Sequence, residues 1–222
     1  MRKIIGAFIF CLAGALLNMF VYRVFISIMG LPLYLDTIFT IAVTLICGPF
    51  WGVLTGAFTN IISITAFGWE YYLFALCNIA TALITWLFVR LFPLELNLNL
   101  NSAFAAKPIF QAGSRRLSAV MDRVIVLTLL SFALCLAMSI LGGCISVFIG
   151  FYKASVYAES VNPAAVPTMF HHNIPVLLNE ILSRIPINII DRLISAFAAF
   201  GVALAVRGLM HINEQRRLRF KI

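Results

Sequence analysis

Apolar residues fill long stretches of this chain, and the few polar breaks between them predict its elements. The first apolar run, Ile4 to about Phe25, follows Arg2 and Lys3. It is long enough to cross a bilayer, which takes about 20 apolar residues as a helix. Ala13-Gly14-Ala15 resembles a signal-peptide cleavage site, but the apolar stretch continues past it and more runs follow. The second run, Leu31 to Phe67, carries one charge, Asp36. As a single helix rising about 1.5 Å per residue it would far exceed a hydrocarbon core of about 30 Å, so it must fold back. Gly48-Pro49 is the natural break, because proline cannot continue a helix and glycine permits the turn. The pattern therefore predicts short helices over 35–47 and 50–66.

A fourth span is expected over 71–92. The polar stretch 93–122 reads as a loop with room for an amphipathic piece, and a fifth span follows over 124–151. The segment 152–184, with Pro163, Pro167, His171, His172 and Pro175, is too polar to span easily and too apolar for a free linker. Its part 176–183 is expected as a short helix at the interface or capping a cavity. The last span is predicted over 187–206, and only a basic tail is expected beyond it. Together these elements make an all-α integral membrane bundle of about six transmembrane helices in a single membrane domain.

Composition strengthens this picture. The chain is 63% hydrophobic and 11% charged, against about half and a quarter in soluble domains. The net charge of +8 raises the question of nucleic acid, but the placement of the charges answers it differently. With the N-terminus inside, twelve of the sixteen Lys and Arg residues fall on the cytoplasmic side. That asymmetry fits an even number of spans with both termini cytoplasmic. The basic residues then face anionic lipid of the bilayer, with no nucleic-acid partner. The five cysteines lie in apolar runs without a CxxC pair, so they read as small packing residues.

Polar groups at membrane depth are expensive, which makes each one a candidate site. Asp36 opens the second span; Asn60 sits in the third; Trp69, Glu70, Tyr71 and Tyr72 open the fourth, with Asn78 two turns deeper; Asn179, Asn188 and Asp191 flank or enter the last. On the predicted topology Asp36, Trp69, Glu70, Asn179, Asn188 and Asp191 lie toward the outer side. That convergence fits a pocket open to the exterior, or an ordinary interfacial belt of tryptophan, tyrosine and charges. Trp69, Tyr71 and Tyr72 suit stacking on a flat heterocycle, while Asn78 and Asp36 suit hydrogen bonds to its edge. Adjacent His171 and His172 make a weak metal site without a third ligand and better fit a loop closing over a ligand. No GxSxG, HExxH or P-loop pattern occurs, so neither enzyme activity nor a cofactor is expected, and ATP would need another chain.

Two small-residue stripes complete the inventory. Gly48, Gly52 and Gly56 lie four apart, as do Ala7, Cys11 and Ala15. Such stripes let helix backbones approach closely. On the first span the stripe fits packing within the bundle or docking of another membrane subunit.

The stretch Leu31-Pro-Leu-Tyr-Leu-Asp36-Thr, followed by Cys47-Gly-Pro-Phe-Trp-Gly-Val-Leu-Thr-Gly56-Ala-Phe-Thr-Asn60, resembles the substrate-binding S component of energy-coupling factor (ECF) transporters of prokaryotes. Pro186-Ile-Asn-Ile-Ile-Asp191 and the Ala7, Cys11, Ala15 stripe are similar to that family as well, which more often has alanine where Cys11 stands. The resemblance implies a six-helix bundle in the cell membrane that takes a vitamin or similar small molecule from outside. It implies docking through Ala7, Cys11 and Ala15 onto a membrane coupling subunit driven by two cytoplasmic ATPases. The implied pocket comprises Leu33 to Asp36, Trp69 to Asn78, His171 to Glu180 and Asn188 to Asp191. Within it Asp36, Trp69, Glu70, Tyr71, Asn78, His172, Asn179, Asn188 and Asp191 are the expected substrate-binding residues. The competing expectations are a multi-helix membrane sensor and a structural scaffold, the latter without a small-molecule pocket.

Overall fold

A computed structural model of the chain describes residues 2–30, 33–92, 109–161 and 173–219. Among these residues there is no strand, and six α-helices follow one another: α1 (Arg2–Arg23), α2 (Ile38–Cys47), α3 (Pro49–Phe67), α4 (Ala75–Leu91), α5 (Ile109–Val161) and α6 (Asn173–Arg219). A π-turn, Val24–Ile28, extends α1, and a 3-10 turn, Trp69–Phe74, leads into α4. Four stretches are long and apolar enough to cross a membrane: Ile4–Ile26, Trp69–Leu91, Val120–Lys153 and Val176–Met210; Ile38–Cys47 is a shorter apolar helix. The protein is an all-α membrane bundle.

The break between α2 and α3 falls at Gly48, whose φ of +95° only glycine adopts without strain. Pro49 then takes the first position of α3, where its missing N–H would have had no partner anyway.

Two expected boundaries are corrected. The stretch from Ile109 to Asp122 is not loop but the start of α5, a helix of 53 residues. At about 1.5 Å per residue α5 runs roughly 80 Å, so its ends extend well beyond a hydrocarbon core. Nor does the last span begin at Ile187, because α6 is already helical from Asn173, with Pro186 in its interior. The polar residues Asn179, Glu180 and Arg184 and the prolines hid this continuity. Helix is compatible with all of them where the freed backbone groups are re-satisfied. Residues 93–108 and 162–172, including His171 and His172, lie outside the described residues, as do Leu31 and Pro32.

α3 is wedged among α1, α2 and α4, while α5 and α6 form a pair that closes onto α2 and α4. The apolar centre joins Ile41 and Leu45 of α2 to Leu130 and Leu134 of α5 and to Ala199 and Ala203 of α6. Close backbone approach depends on glycine at two helix crossings. A Cβ on Gly56 would sit 2.9 Å from the backbone of Asn78 in α4. A Cβ on Gly143 would meet the backbone of Ile181 at 3.3 Å, fixing α5 against α6.

The small-residue stripe of α1 serves this same close packing, which corrects its reading as a docking face. Cys11 and Ala15 are 0% exposed and Ala7 is half-buried. A Cβ on the neighbouring Gly14 would touch Val43 of α2 and Thr55 of α3, both at 3.2 Å. The surface that α1 leaves exposed is the opposite one, with Ile5, Phe8, Ile9, Leu12, Leu16 and Phe20.

One turn beyond Ala15, Asn18 joins the first three helices. Its Oδ1 accepts the backbone N–H of Phe39 at 2.9 Å, one of the orphan donors at the start of α2. Its Nδ2 donates to Thr40 Oγ1 at 3.0 Å and to Thr59 Oγ1 at 3.1 Å. The buried amide is fully used.

Candidate functional site

A second polar cluster lies where the entry to α2 meets α4 and α6. The chain before α2 makes a left-handed turn at Leu35, a non-glycine residue with φ of +47°. Such a residue costs roughly 1–2 kcal/mol. It is held by Asp191 of α6, whose Oδ1 accepts the Leu35 N–H at 2.8 Å. A hydrogen bond to a charged group contributes about 1.5–3 kcal/mol, enough to offset the strain. The turn carries Tyr34, Asp36 and Thr37 inward as a unit.

Arg192, 5% exposed, lies at the centre of the cluster. It donates to Thr37 Oγ1 through Nη1. Its Nη2 lies 2.9 Å from Asp191 Oδ2 and 3.7 Å from Asp36 Oδ1. Asn78 of α4, 1% exposed, donates from Nδ2 to Asp36 Oδ2 at 3.3 Å. The reverse amide orientation would set two acceptors against each other, so chemistry fixes the assignment.

Arg184, Asn188 and Arg192 recur every four residues and so share one face of α6, about 6 Å apart along its axis. Asn188 donates to Ser139 Oγ of α5 at 2.9 Å. Arg184 donates to Ser146 Oγ and approaches Glu180 Oε2 at 3.4 Å.

These groups border a cavity of about 260 Å³, near the lower end of the roughly 300–1,000 Å³ usual for ligand pockets. Its polar wall is Asp36, Asn60, Asn78, Arg184, Asn188 and Arg192; its aromatic wall is Tyr22, Tyr34, Tyr71 and Phe74. Tyr22 and Tyr34 stack with centroids 6.1 Å apart and planes 8° from parallel. Gly142 also borders the cavity, and a Cβ there would come to 3.6 Å from Arg184 Nη1. Several buried atoms on this wall lack a hydrogen-bond partner: Asp36 Oδ1, Asn78 Oδ1, Arg184 Nε and Arg192 Nε. Buried polar atoms are normally satisfied, so unsatisfied ones around a cavity mark a place for something else to bind.

Of the sequence-predicted site residues, Asp36, Tyr71, Asn78 and Asn188 come together around this cavity. Asp191 is adjacent but fully buried, and acts on Leu35 and Arg192 rather than on the cavity. Trp69 and Glu70 are turned aside. Trp69 packs edge-on against Tyr152 of α5 with centroids 5.5 Å apart, and Glu70 pairs with Lys153. Asn179 is exposed on α6, and none of these three borders the cavity. His172 lies outside the described residues.

Tyr34 falls in the implied stretch Leu33 to Asp36 and does line the cavity, whereas sequence reasoning missed Tyr22, Arg184 and Arg192 as cavity residues. A signal existed for the two arginines. Four-residue spacing with Asn188 on an apolar helix is the pattern of a polar stripe facing inward. For Tyr22 there was none, since aromatic residues near the end of a span read equally as interface anchors.

Comparison with known proteins returns no match among family models, curated proteins or solved structures.

Proposed function

We propose that the chain is the membrane substrate-binding subunit of an uptake system for a vitamin or similar trace nutrient, working with a separate ATP-driven coupling module. The observation that supports this reading is the cavity, which combines aromatic lining with unsatisfied buried polar groups inside a membrane bundle. A structural scaffold has no use for such a cavity. Buried charge in a membrane bundle is costly and marks a substrate or ion path. In this reading the cavity opens to the outside of a prokaryotic cell membrane and both termini are cytoplasmic. A coupling subunit with two ATPases would engage the exposed apolar face of α1, since Cys11 and Ala15 are enclosed by the chain itself.

The test is native mass spectrometry of the protein gently extracted from its own membranes. The expected result is a complex with a coupling subunit and ATPases, together with a retained small molecule. A lone chain with neither, under conditions that preserve a known transporter of this type, would overturn the proposal in favour of a sensor or scaffold.

A further inference from the structure

We infer that the cavity takes a small organic cation bearing N–H donors, such as an amidinium or protonated amino-heterocycle, with Asp36 as its counter-ion. The inference rests on the reading of the cavity as a substrate site.

Counting the buried charges leads to it. Two carboxylates, Asp36 and Asp191, face one guanidinium, Arg192. Arg184, farther along α6, has its own acid in Glu180. With both carboxylates ionised, the inner cluster carries one negative charge more than it balances. Distance shows where the excess resides. Asp191 Oδ2 lies 2.9 Å from Arg192 Nη2, an ion pair without an aligned hydrogen bond, and its Oδ1 accepts the Leu35 N–H, so its charge is met more closely than that of Asp36. Asp36 has a 3.7 Å contact to the same guanidinium and a 3.3 Å hydrogen bond from a neutral amide. Asp36 is the under-compensated member.

It is also the accessible one, with a side chain 25% exposed against 0% for Asp191. Its Oδ1 is buried and unpartnered, so the exposed side is the one carrying Oδ2. The buried Asn78 borders the same cavity and has an unpartnered Oδ1, adding a second acceptor near Asp36. The unpartnered acceptors beside this under-compensated carboxylate favour a ligand that brings N–H groups and positive charge, while the unpartnered Nε atoms of Arg184 and Arg192 on the same wall would meet an acceptor on that ligand. The aromatic lining suits the same ligand, because rings such as Tyr22, Tyr34, Tyr71 and Phe74 attract cations and flat heterocycles. An inorganic cation would use the carboxylate but leave that aromatic wall without a role.

The test is calorimetric titration of the purified full-length protein in detergent with three matched fragments: benzamidinium, benzamide and benzoate. Benzamidinium is expected to bind at least about tenfold more tightly than either of the others. Asp36→Asn, nearly the same shape, should abolish that preference, and Asp36→Glu should keep part of it. Benzoate or benzamide binding as tightly as benzamidinium would overturn the inference. So would failure of all three to bind, or a preference that survives in Asp36→Asn. Should that variant not fold, the order of the three fragments on the wild-type protein decides alone. The molecule retained in native mass spectrometry separates this inference from the proposed function. A retained anion beside a coupling subunit would end the cation assignment and leave the transport reading standing. Selective benzamidinium binding by a chain that never meets a coupling subunit would do the opposite.

Discussion

The bundle contains two buried polar clusters, and they are built on opposite principles. The Asn18 cluster is neutral: one amide serves Phe39, Thr40 and Thr59, and both its polar atoms are partnered. The Asp36–Asp191–Arg192 cluster is charged and incomplete, with unpartnered atoms on Asp36, Asn78, Asp191 and Arg192. None of the first cluster's bonded groups lines the cavity, whereas the second forms part of its wall. A fully satisfied network rigidifies and specifies a fold. An unsatisfied charged one costs stability, and such a cost is tolerated where it supports binding. The contrast separates a structural joint from a site within one small bundle.

The comparison can be broken at its strongest point first. Arg192→Met would leave two buried carboxylates without their cation, a change that costs about 3–5 kcal/mol. We expect a large fall in thermal stability in detergent, or no folded protein at all. A stability equal to the wild type would show that the cluster is not ionised as described.

Asn18→Ala tests the other cluster. It removes three hydrogen bonds and strands the Phe39 N–H, for about 1–3 kcal/mol. Thermal unfolding should record the loss, while the affinity of the remaining folded protein for its retained ligand stays unchanged. A changed affinity would merge the two clusters into one functional unit.

Asn78→Leu sharpens the contrast. It takes from Asp36 the side-chain amide donor of Asn78 and removes an unpartnered acceptor beside the cavity. Binding should weaken by about tenfold with the protein still folded, as measured by titration alongside thermal unfolding. Undiminished affinity would remove Asn78 from the site.

The smallest effect is expected from Glu70→Gln. Its partner Lys153 is 61% exposed, and pairs in water contribute little. Neither melting temperature nor ligand affinity should move measurably. A clear loss of affinity would bring the Trp69–Glu70 turn back into the site.

Much of this protein was legible in its sequence. Apolar run lengths determine the membrane class and the helical fold, because hydrocarbon admits only segments that satisfy their own backbone. Gly48-Pro49 determines the fold-back between α2 and α3, because φ of +95° and a missing donor are local properties. Rarity in an apolar environment flagged Asp36, Asn78, Asn188 and Asp191, and all four belong to the charged cluster or its cavity. The tertiary structure alone decided the rest. It turned Cys11 and Ala15 into the bundle instead of toward a partner, since a small stripe fits any close neighbour. It made Asp191 a brace for Leu35 and left Asp36 as the open carboxylate, a difference set by contacts spanning more than 150 residues. It placed Arg184 and Arg192 on the cavity and turned Trp69, Glu70 and Asn179 away from it. Solvent partition is written residue by residue along a chain, whereas the pairing of charges depends on how distant helices come into register.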